Sequence, residues 1–468
     1  MYQNQRVCYA KGYPPLTPHN FVQYSTVQRN SLIEMYSMNH PAQKIGFWPV
    51  LALVTGSQIS SGVFILPTTL APFGMYTFLG WVLSGCGAVA LAYVFGQLCS
   101  RYPETGGPHV YVQKAFGQLP AFFVGWTYWL ISWVSTTVVF AACVGYLRPV
   151  LGIDSAFSYF FLQLLLLIAV TAINLHNAHL VGRAEFFLTI LKFIPLVVLP
   201  ALILPMFSSA HLVIAPEVNA LPFHVILSRI VLITFWGFIG LESATAPAGI
   251  VENPGRTIPL ALIVGTICVA ILYLFNSISI MGAVPGASLA TSSAPYVDAA
   301  QNALGGSWHL LIAIISSIVC LSTLNAWTLT SGQIAFGLGK AGLFPKFFCR
   351  ETKEGAPLWG LIVSGLGITP LLAMLSNKSL HEQVAAIIDI SVVSFLFVYL
   401  SCCVAFLVLA KNDTTVSRAT KAIGVLASLF CVWIISQASL TTLGTSALFT
   451  VSGIPFYWWV RRAMATTA

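Results

Sequence analysis

The sequence predicts an all-α protein that crosses a lipid bilayer many times. Two observations lead to this prediction, the scarcity of charged residues and a series of long apolar stretches. Only 7% of the 468 residues are charged and 57% are hydrophobic, whereas a soluble domain carries roughly 25% charged residues. So few charges cannot cover a water-facing surface, and most of the surface must therefore face lipid.

Twelve stretches are long enough to cross a bilayer, for which a helix needs about 20 apolar residues. We number them spans 1 to 12 in chain order: 46–72, 75–99, 118–148, 156–175, 182–206, 223–249, 257–283, 307–338, 358–376, 384–410, 420–437 and 439–460. Residues 1–45 are more polar and lack the apolar core of a signal peptide. We expect a disordered cytoplasmic leader or an overlong start, since Met35 and Met38 lie just before span 1.

The basic residues are distributed unequally between the two sides of the membrane. If the N-terminus is cytoplasmic, 17 of the 21 lysines and arginines fall in the even-numbered connections and the termini. Only Arg148 and Lys378 fall in odd-numbered connections, and Lys192 and Arg229 lie within or at the edge of spans. Because lysine and arginine favour the cytoplasmic side, we expect both termini there. The net charge of +8 therefore indicates topology and not a nucleic-acid partner.

Two spans contain breaks at matching places. Span 1 carries GSQISSGVFILP, with Gly62 and Pro67, and span 6 carries WGFIGLESATAP, with Gly240 and Pro247. Irregular backbone inside a membrane is tolerated only where it lines a cavity. Since the breaks are five spans apart, the second half would be inverted relative to the first, as in many transporters. The alternative is that these glycines and prolines serve close helix packing.

The two breaks predict a binding site. We expect residues near 59–62 and 237–242 to be non-helical and to face each other across one central cavity. The half-helix that follows the break in span 1 would point its free N–H groups and its positive dipole end at the cavity. A substrate carboxylate would suit such a site.

Four stretches resemble the amino acid–polyamine–organocation superfamily, and most closely its bacterial arginine/agmatine antiporter branch. They are 60–64 with Pro67, 103–107 through 111 to 116–117, 236–243 continuing to 252–254 and Pro259, and 327–329 continuing to 342–345. Each stretch alone is a modest signal. Their order and spacing extend the resemblance over residues 44 to 462.

The resemblance implies a LeuT-like fold, a five-plus-five inverted repeat with helices 1 and 6 broken and two helices added at the C-terminus. The expected organisation is a leader (1–45), a first repeat (46–206), a second repeat (223–410) and spans 11 and 12 with a short tail (411–468). It further implies a secondary transporter in the cytoplasmic (inner) membrane that exchanges a basic amino acid for its decarboxylated amine by alternating access. A homodimer is implied, and no cofactor.

The resemblance also implies a substrate site near the membrane midplane. Backbone groups and hydroxyls would hold the carboxylate and amino group, and Trp236 and Trp327 would enclose a cationic side chain through cation–π contacts. The implied residues are Ile59, Ser60, Ser61, Gly62, Ser132, Thr136, Trp236, Gly237, Phe238, Ile239, Trp327 and Ser391. The alternative for each tryptophan is a lipid-facing or interfacial anchor.

This sequence departs from the branch at several positions. Ser60-Ser61-Gly62 stands where the branch has Gly-Ser-Gly, so the carboxylate cradle would be tighter. Thr136 replaces an asparagine and Ile131 replaces a smaller residue, which weakens the case for arginine itself. His109 stands where the family has a tyrosine, and the sequence offers no explanation for it.

Ionisable residues inside spans are functional candidates, because each costs about 2.5–3.5 kcal/mol to insert. Glu242 matches a position that the family couples to proton sensing, although a structural hydrogen bond or a helix cap is the alternative. Lys192 matches a lysine that looks like a stand-in for sodium in proton-coupled permeases, and its alternative is snorkelling to the interface. Asp389 lies near the expected outer end of span 10.

Other classes of protein fit the sequence less well. A membrane-embedded enzyme needs clustered histidines or carboxylates in its spans, whereas all nine histidines lie outside or near the ends of spans, without metal-ligand spacing. A channel needs a filter or a charged ring, and neither is evident. Two transport mechanisms remain open: exchange of a basic amino acid for its amine, and proton-coupled uptake of a less cationic amino acid.

Overall fold

The computed structural model describes residues 46–59, 62–104, 106–152, 155–176, 178–246, 248, 251–353, 355–375 and 380–465. Within these residues the regular structure is helical and no β-strand occurs. The leader expected at 1–45, the candidate residues Ser60 and Ser61, and Pro247 lie outside the described residues.

The α-helices are numbered here in chain order. They are α1 Phe47–Gln58, α2 Gly62–Leu70, α3 Tyr76–Arg101, α4 Pro108–Phe116, α5 Gln118–Val134, α6 Thr136–Leu151, α7 Ala156–His176, α8 Ala178–Ile203, α9 Pro216–Asn219, α10 Phe223–Phe235, α11 Pro254–Ala283, α12 Gly286–Leu289, α13 Pro295–Leu304, α14 Trp308–Lys340, α15 Leu358–Leu375, α16 Leu380–Ala410, α17 Arg418–Gln437, α18 Leu440–Val451 and α19 Gly453–Ala465.

Each of the twelve expected spans coincides with one helix or with a pair of helices. In the described part of the chain, nine helical stretches are long and apolar enough to cross a membrane, and two shorter apolar helices are Ile190–Met206 and Leu358–Met374. The twelfth span consists of α18 and α19, which meet at Ser452. The prediction of an all-α protein that crosses the membrane many times is confirmed.

Large apolar side chains cover the outside of several spans. Phe157, Leu366 and Met374 are 75%, 69% and 73% exposed. Exposed apolar patches are small in soluble monomers, whereas lipid tails solvate such side chains without cost. This surface is that of a protein surrounded by hydrocarbon.

The breaks in spans 1 and 6 lie where they were expected. Helix α1 ends at Gln58, Ile59 leaves the helical region with ψ 82°, and α2 begins at Gly62. In span 6, α10 ends at Phe235 and a 3₁₀ turn covers Trp236–Phe238. An extended residue and a left-handed glycine then precede a second 3₁₀ turn at Ser243–Thr245.

The break in span 6 packs against the last turn of α1 at Gly240. This glycine has φ +100°, and a Cβ added to it would lie 3.0 Å from the carbonyl oxygen of Ser57 and 3.2 Å from its Cβ. Both the backbone conformation and the space therefore require glycine. The contact joins the middle of span 6 to the last turn of α1.

Aromatic rings on one span also pack against glycines on another. A Cβ added to Gly87 in span 2 would lie 2.2 Å from the ring of Phe430 in span 11, and one added to Gly367 in span 9 would lie 2.6 Å from the indole of Trp133 in span 3. Small residues let membrane helices approach closely, which replaces the missing hydrophobic drive with packing. These ring–glycine contacts join neighbouring spans pairwise.

We expect Gly240→Ala to destabilise the protein more than Gly152→Ala does. Gly152 is left-handed, with φ 62° and ψ 38°, and has no atom within 4 Å of an added Cβ, so its substitution carries only the left-handed backbone cost of roughly 1–2 kcal/mol. Gly240→Ala adds the collision with Ser57. Thermal unfolding of the purified proteins in detergent measures both shifts in Tm, and equal shifts would contradict the contact between Gly240 and Ser57.

Candidate functional site

A small cavity of about 20 Å³ lies between spans 3, 6 and 8. The described residues at the break in span 1, Ile59 and Gly62, do not line it, so among the described residues the two breaks do not face each other across this cavity as was expected. The residues that line it are Ser135, Thr136, Val139, Trp236, Ile239 and Trp327. Four of them, Thr136, Trp236, Ile239 and Trp327, were expected from the sequence. Ser135 and Val139 were missed, although Ser135 adjoins Thr136 in a run of hydroxyl residues that was a usable signal.

Span 3 is interrupted at a single residue where it meets the cavity, and that residue, Ser135, keeps helical dihedral angles, φ −63° and ψ −27°. Helix α5 ends at Val134 and α6 begins at Thr136, with Ser135 between them. The hydroxyls of Ser132, Ser135 and Thr136 donate to backbone carbonyls three residues earlier, at 2.6, 3.2 and 2.6 Å. Hydroxyls that bond back to their own helix loosen and bend it, which explains a third irregular span that the sequence did not predict.

These hydrogen bonds determine what the cavity offers to a ligand. A serine or threonine hydroxyl has one donor and two acceptor lone pairs, and the donors of Ser135 and Thr136 already bond to the backbone. The hydroxyls therefore present acceptor lone pairs to the cavity. Beside them lie the indoles of Trp236 and Trp327, whose faces attract cations. This lining suits a group that donates hydrogen bonds and carries positive charge.

Glu242 is held by two tyrosines just beyond the cavity. The hydroxyls of Tyr128 in span 3 and Tyr399 in span 10 donate to its two carboxylate oxygens at 2.8 and 2.5 Å. The Tyr399 oxygen also accepts the N–H of Gly240 at 3.4 Å. Glu242 is buried, so the three residues form one polar contact between spans 3, 6 and 10. We call Glu242, Tyr128 and Tyr399 the carboxylate clamp.

Lys192 donates to the backbone at the break in span 1. Its Nζ lies 3.2 Å from the carbonyl oxygen of Gly56, in the last turn of α1, and the side chain is fully buried. Lys192 therefore does not snorkel to an interface. The hydroxyl of Tyr273 in span 7 donates to another carbonyl in the last turn of α1, that of Gln58, at 2.6 Å. A cation at the negative end of a helix dipole stabilises that helix.

The other candidate residues are distributed around the cavity without lining it. Gly237 and Phe238 lie in the 3₁₀ turn of span 6, where Phe238 packs edge-to-face on Trp81 and Tyr273. Ile59 is buried beside the break, Gly62 begins α2, and Ser132 and Ser391 are buried. Of the residues that the structure describes, no group of three or more His, Cys, Asp and Glu could hold a metal ion.

Of the tyrosines that bond to Glu242 and to the end of α1, only Tyr128 could have been noticed in the sequence. Tyr128 lies four residues before Ser132 in the stretch that was compared with the family. Tyr399 and Tyr273 are tyrosines within apolar spans, and their partners lie 157 and 215 positions away. Such distant pairings leave no local pattern.

The fold is that of a polytopic membrane protein with irregular segments in spans 1 and 6 and a cavity between spans 3, 6 and 8. The sequence model of the amino acid permeases matches residues 45–461. The chain therefore belongs to the amino acid permease family, and its expected place in the amino acid–polyamine–organocation superfamily is confirmed.

Individual relatives support the same assignment. The putrescine transporter PotE of Haemophilus influenzae is 28% identical over 427 residues, which cover 90% of this chain and 98% of the relative. The cadaverine/lysine antiporter of Escherichia coli (strain K12) is 29% identical over 342 residues, 72% of this chain and 76% of the relative. The putrescine transporter PotE of the same strain is 28% identical over 371 residues, 79% and 84% of the two chains.

Proposed function

We propose that the protein is an antiporter that exchanges a basic amino acid for its decarboxylated amine by alternating access. The observation that carries this proposal is the cavity lining of acceptor hydroxyls and indole faces. An ammonium group donates three hydrogen bonds and accepts none, so this lining favours it over a carboxylate or an amide. The names of the relatives, which include a putrescine transporter and a cadaverine/lysine antiporter, agree with this substrate class.

One cavity can bind both exchange partners because both carry the same side-chain cation. A basic amino acid and the amine formed from it carry the same side-chain cation and differ by one carboxylate. The shared cation would occupy the cavity at Ser135 and Thr136. The carboxylate of the amino acid would bind at the N-terminus of α2, where Gly62 begins the helix and the dipole favours negative charge. Ser60 and Ser61 would be contacts for that end, and Ser391 would contribute a hydroxyl on the substrate side.

We infer an inner-membrane protein with both termini in the cytoplasm. The support is the excess of lysine and arginine in the even-numbered connections and at the termini. The bilayer and a second copy of the chain are the partners that the family resemblance implies, together with the small-molecule substrate. The boundaries of the two repeats at 46–206 and 223–410 belong to the same proposal.

A proton-coupled permease for a less cationic amino acid is the second candidate. The observation that favours it is the fully buried Lys192, whose Nζ reaches the backbone at the break in span 1. A lysine in such a place can stabilise one access state when charged and release it when neutral. The same contact also fits a purely structural cap of α1.

The substrate class is tested with a matched pair of amino acids. In proteoliposomes we expect counterflow of lysine or a diamine, and far weaker counterflow of norleucine, which has no side-chain ammonium. Trp327→Leu should weaken binding of the cationic substrate about 5- to 30-fold, the equivalent of about 1–2 kcal/mol of cation–π energy. Trp308→Leu is the control, because Trp308 begins the same helix and is 56% exposed. Equal transport of lysine and norleucine would contradict the proposal.

The two mechanisms are separated at Lys192. If the protein is an exchanger, Lys192→Ala and Lys192→Met should lower Tm by removing the ligand of Gly56 while the response to an imposed pH gradient stays that of the parent. Any pH response should then change in Glu242→Gln, which keeps the volume of the clamp but removes its charge. Uptake with and without a gradient measures both. Loss of gradient dependence in the Lys192 variants alone, with exchange retained, would favour proton-coupled uptake instead.

The orientation is tested by reporter fusions. Alkaline phosphatase, which is active only outside the cytoplasm, should be active when fused after Lys378 and inactive when fused after Lys353 or Arg462, because lysine and arginine mark the cytoplasmic connections. A fluorescent protein that matures only in the cytoplasm should give the opposite pattern. Phosphatase activity at Lys353 would reverse the orientation.

A further inference from the structure

The short helix α4 lies outside the spans and is fastened to two of them. The N–H of Gly106, just before α4, donates to the carbonyl of Ala246 at 3.1 Å, at the end of the break in span 6. The thiol of Cys402 in span 10 contacts the carbonyl of Pro108, the first residue of α4, at 3.6 Å. We call this end of the bundle, where residues 106–116 meet Ala246 and Cys402, the α4 end.

His109, the second residue of α4, is enclosed by the spans around it. The residue is 1% exposed, and its Nδ1 has no hydrogen-bond partner among the described residues. Spans 3 and 8 pack against it: a Cβ added to Gly125 would lie 3.4 Å from the Cβ of His109, and one added to Gly337 would lie 3.9 Å from its Cε1, both ordinary van der Waals distances. A buried polar atom without a partner is costly, so a role beyond packing is to be sought.

The charged groups of the surrounding elements are engaged elsewhere. The pairs Glu104–Lys114 and Arg101–Asp413 meet at 2.7 and 3.6 Å, Lys340 stacks on Phe336, and Glu242 lies in the carboxylate clamp. The nearby uncharged titratable groups of spans 2 and 10 and of α4 are Cys99, Cys402 and Tyr111. Burial lowers the pKa of His109 from 6.5 to about 4.

The α4 end must open if the cavity is to communicate with that side of the membrane. Along span 6 the chain leads from Ile239 at the cavity, past Glu242 in the clamp, to Ala246, to which the segment before α4 is bonded. An opening that also moves α4 away from spans 3 and 8, which enclose His109, would bring water to its ring. The buried ring therefore distinguishes a closed α4 end from an open one.

We propose that His109 makes opening of the α4 end sensitive to acid, because a proton binds its imidazole only after the ring has been exposed to water. This device concerns access to the cavity and holds for any substrate. It adds a regulatory residue to the proposed transporter, at a position that could not be explained from the sequence.

The direction of the effect follows from linkage between proton binding and conformation. In the closed arrangement the pKa of His109 is about 4, and in an open one the ring is expected to regain an ordinary value near 6.5. Above pH 6.5 the ring is neutral in both, so pH has no influence. Between these values only the open form binds the proton, so acid favours opening. From about pH 7.5 to about pH 5.5 the open-to-closed ratio should rise about tenfold.

The test is hydrogen exchange in the substrate-free protein. After correction for intrinsic exchange chemistry, amides of residues 106–116 should exchange about tenfold faster at about pH 5.5 than at about pH 7.5. In His109→Phe, which keeps a ring of similar size that cannot be protonated, this acid response should disappear. His224→Gln is the control, because His224 is exposed and should leave the response as in the parent. His109→Gln provides a second variant without a titratable ring.

Exchange of the ring C2 hydrogen tests the same inference without any substitution. Its pH profile, followed by mass spectrometry, should give His109 a pKa well below 6.5, the ordinary value for a histidine. An identical acid response in the parent and in His109→Phe or His109→Gln would overturn the proposal. So would a ring pKa near 6.5, or the absence of an acid response in the parent. These outcomes are independent of which substrate is exchanged, so they do not decide the proposed function.

Discussion

The structure depends on how it satisfies backbone groups that a broken helix leaves unpaired in a membrane. Hydrocarbon provides no water to bond them, so each such group must find a partner from another span. The last carbonyls of α1 find theirs in Lys192 and Tyr273, and the N–H of Gly240 contacts the hydroxyl of Tyr399. The break is therefore held open by side chains of spans 5, 7 and 10, and its irregular backbone remains available to line a site.

The fold can be predicted well from the sequence because the lipid bilayer requires every spanning segment to be apolar. Each span must be apolar over its whole length, and that requirement is local and visible. The breaks were also visible, since Gly62 and Gly240 lie within otherwise continuous apolar stretches. Hydrogen bonds across the bundle, such as that of Tyr273 to Gln58 over 215 positions, leave no such trace. The interruption of span 3 at Ser135 could not be predicted either, because it depends on hydrogen bonds that the hydroxyls make to the backbone.

Three features of the site lie in sequence along span 6. The cavity at Trp236 and Ile239 is followed by the clamp at Glu242, and the clamp is followed by the bond from Gly106 to Ala246. The three features differ in chemistry: the cavity has indole faces, the clamp has a carboxylate bonded to two tyrosines, and the third is a backbone hydrogen bond. Because they occupy successive turns of one irregular segment, a movement of that segment must change all three together.

The ring–glycine contacts described above have a mechanical consequence. A ring seated against a glycine, as Phe430 is against Gly87 and Trp133 against Gly367, cannot slide past it without meeting the side chains of the adjacent helical turns. Such a pair resists sliding of one helix along the other. Spans 2 and 11, and spans 3 and 9, should therefore move as rigid pairs. The irregular segment of span 6 has such a contact as well, since a Cβ added to Gly237 would lie 2.7 Å from the ring of Tyr273, and it is thereby coupled to span 7.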